Sequence, residues 1–245
     1  MTKDLYEASS RVTFQDTDIT GEMTPVAALL LAQEHAGYHM DSYGMGNLDL
    51  KAHGLTWIIA RMRMEITKLP SYEDEVVIKT WPGRVHKILY PRYATIEDKN
   101  GQEYVRINIV WSIFDYKKRM ISFVDGHSLG FPDTKDVPDF MPMPAKLSKE
   151  EEQGMSFVDY IPRYRDYDYN GHINNVTYIN WVYDALGINF IKEHRLKSLQ
   201  VDYFEEIVKV EKVSLGLKIK DNKVYAMVKA DGKLSTLLEL EFTSR

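Results

Sequence analysis

At 245 residues and 44% apolar content, the chain is long enough to bury a real core, as one large domain or two modest ones. A formal charge of −5 gives no electrostatic reason to expect nucleic acid as a partner, and the lack of any cysteine excludes thiol nucleophiles, disulfides and thiolate metal sites together. No apolar run approaches the roughly 20 residues of a membrane helix, and the N-terminal stretch MTKDLYEASSRV has no apolar segment of the secretory kind. A cytoplasmic protein without a membrane span is expected.

Residues 8–18, ASSRVTFQDTD, alternate weakly and predict a short strand. In TGEMTPVAALLLAQEHAGYHM, Thr24 followed by Pro25 marks a helix start, because proline fits the first helical position. Residues 26–32 are apolar on nearly every side, so this helix has to be wrapped by apolar surface rather than laid on it. From Leu55 the period changes to two, with Met62, Met64 and Ile66 on one face. Strand-like runs follow at 76–81, 88–97, 104–115 and 120–124. Pro82-Gly83, Lys99-Asn100-Gly101 and residues 116–119 supply the turns between them. The pattern is one helix followed by an antiparallel meander.

Residues 126–155 hold four of the nine prolines (Pro132, Pro138, Pro142 and Pro144) and a charged run at 149–153. They read as a linker between a first unit, 1–125, and a second, 156–245. The scheme then restarts, with a strand near 157–165, a helix from about 176 to 193, and strands near 199–204, 210–218, 224–230 and 234–243.

The stretch RYRDYDYNGHINNVTYINWVYDAL, residues 163–186, carries the densest chemistry. Asp168, Asn170 and His172 place a carboxylate, an amide and an imidazole within five residues, just before apolar positions at helical spacing. Asn174 or Asn175 is the expected N-cap, and the N–H groups of residues 174–176 are candidate donors to a developing anion. By itself this spacing is equally the signature of Asx-turns and caps without chemistry.

The same stretch repeats an earlier one. QDTDITGE at 15–22 lines up with RDYDYNGH at 165–172, offset by 150 positions, and both keep D-x-D-x-x-G before a helix. Where the later copy has Asn170 and His172, the earlier has Thr20 and Glu22. A long apolar helix wrapped by an antiparallel sheet is the hotdog architecture. Two in one chain make an α+β double hotdog, and because single hotdogs generally pair, the duplication would supply that pair internally. His35 and His39 stand at a metal-ligating spacing without convincing companions, so helix-face packing is expected there. Trp57, Trp81, Trp111 and Trp181 are expected in the core.

Nearly the whole chain resembles the acyl-acyl carrier protein (acyl-ACP) thioesterases of plants and bacteria. In the first half the resemblance rests on LTWIIARMRMEITKLPSYEDEVVIKTW and IVWSIFD. In the second it rests on the 163–186 stretch, with its D-x-N-x-H-x-N-N-x-x-Y-x-x-W pattern, and on LQVDYFEEI. It implies a double hotdog that hydrolyses fatty acyl thioesters in fatty acid biosynthesis. Carried over position by position, Asp168, Asn170 and His172 match the family's catalytic Asp, Asn and His, and Glu206 matches a catalytic Glu. The plant pattern places a cysteine directly after that Glu, where this chain has Ile207, so activated water is the expected nucleophile. The absence of a transit-type extension suits a bacterial cytoplasmic enzyme.

Thioester hydrolysis needs a positioned water, a base and oxyanion donors. His172 is the natural base, and Glu206 competes if burial beside an acyl tunnel raises its pKa. Asn170 would position and Asp168 would orient. Leu30, Ala36, Met40, Met62 and Met64 are candidate tunnel lining in the first half, where the polar set has been lost. The implied partner is acyl carrier protein, presenting a 4′-phosphopantetheine-linked chain. No cofactor or metal is expected, and a homodimer is left open. An acidic carrier asks for a basic docking face, with Arg61, Arg63, Lys68, Arg84, Lys87, Arg92, Lys117, Lys118 and Arg119 available. The other readings are an acyl-coenzyme A thioesterase, a hotdog hydratase or dehydratase, and a non-catalytic acyl-binding module.

Overall fold

The structure, a computed structural model, describes residues 4–149 and 152–245. Residues 1–3 of the N-terminal stretch and 150–151 of the charged run lie outside them. The chain divides into two compact units, Met1–Pro144 and Ala145–Arg245.

In the first unit, β1 (Tyr6–Arg11) precedes helices α1 (Pro25–Asp41) and α2 (Asn47–Ala52). Strands β2 (Leu55–Ile66), β3 (Glu75–Pro82), β4 (Tyr90–Asp98), β5 (Glu103–Asp115) and β6 (Met120–Ile121) follow. The strands pair antiparallel in the order β1-β3-β4-β5-β2, and β6 adds to the end of β5. Thr24 caps α1 by accepting from Ala27 N at 3.0 Å, and Pro25 takes the first turn as its sequence predicts. The helix packs on β1, β3, β4 and β5. Ala28, Leu29 and Ala32 are buried there, whereas Leu30 remains 43% exposed, so the wrapping is incomplete. Leu29 is fully buried, and Leu29→Ala is expected to destabilise the protein by about 3 kcal/mol in chemical denaturation, from lost burial plus the cavity left behind.

Residues 126–144 form no strand, because proline cannot donate to a ladder. They are nonetheless packed onto the first unit. Phe131 and Met141 are buried, Asn108 Nδ2 donates to Pro142 O at 3.2 Å, and Arg61 Nη1 donates to Pro144 O at 2.5 Å.

The second unit contains β7 (Ser156–Tyr160), α3 (Thr177–Glu193), β8 (His194–Tyr203), β9 (Val213–Lys220), β10 (Lys223–Ala230) and β11 (Lys233–Ser244). Its antiparallel order, β7-β9-β10-β11-β8, repeats that of β1-β3-β4-β5-β2 position for position. Each unit is a hotdog, a long helix against an antiparallel sheet, and the two follow one another in tandem. The copies differ in their helices. No counterpart of α2 appears among the described residues of the second unit, and Gly187 breaks α3 with φ of 79° and ψ of 165°. That conformation is open to glycine at little cost and strained for other residues.

Candidate active site

The loop before α3 is built by one carboxylate. Asp168 Oδ1 accepts from Asn170 N at 2.8 Å and from His172 N at 3.0 Å. Asp168 N donates to His172 O at 2.8 Å, and Gly171 turns the chain at φ +78°. Asn174 N donates to Asp166 O at 2.8 Å, which ties the loop's far end to its beginning. Ile173 N reaches out of the loop to Ile207 O at 2.8 Å. Because Ile173 and Ile207 are held together, the residues before them are neighbours too, and His172 Nδ1 lies 3.2 Å from Glu206 Oε2. The sequence-predicted Asp168, Asn170, His172 and Glu206 thus stand on one loop and one adjoining segment.

The first unit contains the same loop without the chemistry. Asp18 Oδ1 accepts from Thr20 N at 2.8 Å, Asp18 N donates to Glu22 O at 3.1 Å, and Gly21 has φ +76°. Thr24 N donates to Asp16 O at 2.8 Å, and Met23 N donates to Pro70 O at 2.7 Å. Pro70 therefore corresponds to Ile207, and Leu69 stands where the second unit has Glu206. All three candidate positions differ, with Thr20, Glu22 and Leu69 in place of Asn170, His172 and Glu206. The clamp survives in the copy that has lost them, so its own work is to shape the loop. Asp168 bonds the backbone N–H groups of Asn170 and His172.

His172 is half-buried, while Asn170 and Glu206 are exposed, Glu206 with 44% of its side chain accessible. Facing a carboxylate, imidazole Nδ1 carries the proton and leaves the Nε2 lone pair for chemistry. Asn170 has an amide that pairs with no other described residue. The backbone donors expected at the helix start are partly spent. Asn174 N is bonded to Asp166 O, and Val176 N to Asn174 Oδ1 at 3.2 Å. The cap position of α3 falls on Val176, two residues beyond Asn174. Tyr203 OH, buried behind the loop, donates to Asn175 O at 2.6 Å. Burial pushes the phenols of Tyr178 and Tyr203 up, so both stay protonated and neutral.

The residues expected to line a tunnel separate. Ala36 and Met40 line a cavity of about 90 Å³ in the first unit, with Tyr90, Trp111, Phe131 and Arg92 among its other walls. Met62 and Met64 are buried in the core, and Leu30 is exposed. Of the four tryptophans only Trp181 is fully buried; Trp57, Trp81 and Trp111 are half-buried. Of the basic residues considered for docking, Arg92 is buried beside His39, Arg61 is bonded to Pro144 O, and Arg63 is paired with Glu65 at 3.0 Å. Among the described residues no helix is long and apolar enough to cross a membrane.

The family model of the acyl-ACP thioesterase N-terminal domain matches residues 3–128, and that of the acyl-ACP thioesterase C-terminal domain matches residues 148–243. The chain belongs to the acyl-ACP thioesterase family. Among curated relatives, the chloroplastic oleoyl-acyl carrier protein thioesterase 2 of Arabidopsis thaliana is 29% identical over 212 residues, covering 76% of this chain and 55% of that one. The chloroplastic palmitoyl-acyl carrier protein thioesterase of the same plant is 27% identical over 177 residues, covering 70% and 43%. The chain thus spans about half the length of the curated relatives it matches. Two solved structures share its fold along nearly the whole chain. An acyl-ACP thioesterase from Bacteroides thetaiotaomicron superposes with a TM-score of 0.88 at 21% identity, covering 99% of this chain and 100% of that one. The 12:0-ACP thioesterase from Umbellularia californica gives 0.85 at 18%, covering 98% of each. The tandem hotdog is therefore the family's fold as well as this chain's.

Proposed function

We propose that this acyl-ACP thioesterase family chain hydrolyses fatty acyl thioesters carried on acyl carrier protein, releasing free fatty acid and the carrier's thiol. The observation that carries the reading is the 3.2 Å pair between His172 Nδ1 and Glu206 Oε2, on a loop held by Asp168. In this reading His172 Nε2 takes a proton from water as the water oxygen attacks the thioester carbonyl carbon. Glu206 orients the ring through Nδ1 and stabilises the imidazolium that forms. The Asn170 amide donates to the carbonyl oxygen as it becomes negative. The carbon–sulfur bond then breaks, and the proton on His172 goes to the departing thiolate. Water supplies the oxygen of the acid, so no acyl-enzyme is needed.

Cleavage is assigned to the second unit and the acyl chain to the first, whose cavity is lined by Ala36 and Met40. Ala36→Leu should narrow that cavity and move the preferred chain to shorter lengths. Each excluded methylene costs about 0.8 kcal/mol, roughly fourfold in affinity. An unchanged chain-length profile would remove the cavity from the acyl path. The overall test is a panel of graded acyl chains on acyl carrier protein and on coenzyme A, following thiol and free acid together. Equal release of both, faster from carrier protein, is expected. Faster release from coenzyme A would reassign the carrier, and no thiol from any substrate would overturn hydrolysis.

A further inference from the structure

The first-unit cavity has one wall that does not suit a plain hydrocarbon. Arg92 is only 5% exposed and lines it. Its hydrogen-bond partners include no carboxylate: Thr80 Oγ1 at 3.0 Å from Nε, the Met40 thioether at 3.2 Å from Nη1, and His39 Nδ1 at 2.7 Å from Nη2. A guanidinium has five N–H donors, so two are left over, and a thioether is a weak acceptor for a third. Trp111 lines the same cavity, and its Nε1 is buried without a partner. Burial pushes Arg92 down to about 9, which leaves it a cation at neutral pH. No carboxylate is paired with it among the described residues. The cavity is thus an apolar space of about 90 Å³ with surplus donors and a positive charge that no carboxylate of the described residues pairs.

A buried cation and buried donors without acceptors are costly, and a methyl end placed against them leaves that cost standing. A chain end that carries oxygen removes it. We infer that this cavity selects acyl chains bearing an oxygen acceptor (hydroxyl, oxo or carboxylate) on carbons remote from the thioester, with Arg92 and the Trp111 indole N–H as its donors. This rests on the assignment of the first unit to the acyl chain. The apolar walls provided by Ala36, Met40, Tyr90 and Phe131 still require the rest of the ligand to be hydrocarbon.

The test compares acyl-carrier-protein thioesters of equal length, one plain, one with a terminal hydroxyl and one with a terminal carboxylate. At the length that reaches Arg92, the wild type should favour an oxygenated chain in kcat/KM by about tenfold or more, as hydrogen bonds to a charged group allow. A greater preference for the carboxylate than the hydroxyl assigns the effect to charge, and equal preference assigns it to hydrogen bonding. Arg92→Met should abolish the preference and Trp111→Phe, which removes one N–H and keeps the ring, should reduce it. Should Arg92→Met fail to fold, the wild-type ratio and Trp111→Phe decide. Plain chains favoured at every length, or a preference unmoved in the variants, would overturn the inference and leave water as the cavity's occupant. A second arm displaces a fluorescent fatty acid from the wild-type protein with the matching free acids. If no thioester is turned over, hydrolysis has failed while this arm still decides the cavity, with oxygenated acids displacing at lower concentration or not.

Discussion

His172→Ala is expected to lower kcat for acyl thioester hydrolysis about a thousandfold, the scale on which a positioned general base contributes. KM should change little, because imidazole Nε2 acts on water and not on the acyl chain. The side chain is half-buried and pairs with the exposed Glu206, so stability should move by no more than about 0.5 kcal/mol. Glu206→Gln probes the same pair from the other side. An amide facing Nδ1 can donate to it and shift the ring proton to Nε2, which then cannot accept from water. A loss of roughly a hundredfold or more is expected from the wrong tautomer. Stopped-flow or endpoint thiol detection on both variants, beside a denaturation curve, checks the pair. Full turnover in folded His172→Ala would remove the histidine from the reaction.

The second large effect separates two aspartates at matching loop positions, of which Asp168 also accepts from the N–H four residues on and Asp18 accepts instead from the Thr20 hydroxyl. Asp18 and Asp168 each accept from the backbone N–H two residues on, at 2.8 Å in both loops. Each substitution to alanine frees backbone donors at a partly buried turn and should cost about 1–2 kcal/mol of stability. Their effects on activity should part. Asp168→Ala releases the backbone of Asn170 and His172 and should lower kcat by roughly a hundredfold, because misplacement of about 1 Å is enough for that. Asp18→Ala loosens a loop with Thr20, Glu22 and Leu69 at the reactive positions and should leave kcat within about twofold. Equal losses of activity in the two variants would contradict a clamp that serves chemistry in one copy alone.

Much of this was legible from residues because local physics wrote it twice. Thr24-Pro25 starts a helix by its own chemistry, and the strands announce themselves by period two. The D-x-D-x-x-G loop is a self-contained hydrogen-bonded turn, so its recurrence at an offset of 150 marks the duplication. What stayed hidden depends on contacts far apart in the chain. Leu69 as the counterpart of Glu206 emerges from the Met23–Pro70 and Ile173–Ile207 backbone bonds, since the spacing between loop and strand differs in the two halves. Residues 126–144 look like open chain because of their prolines, yet Phe131 and Met141 find the first unit's core. Helix α2 is six residues long, too short for a periodic signal. Gly187 reads as a tolerated glycine in a continuous helix until its φ of 79° shows a break. Arg92 counts in sequence only among the basic residues available for docking; the fold turns it inward to His39.

The measurement that bears most directly on this account is thiol release from acyl carrier protein by two matched double variants, Thr20→Ala/Glu22→Ala and Asn170→Ala/His172→Ala, each shown to be folded. The first pair should keep kcat within about twofold of wild type and the second should lose about a thousandfold or more. Comparable losses in both, or a second pair that turns over normally, would contradict the claim that only the later copy cuts.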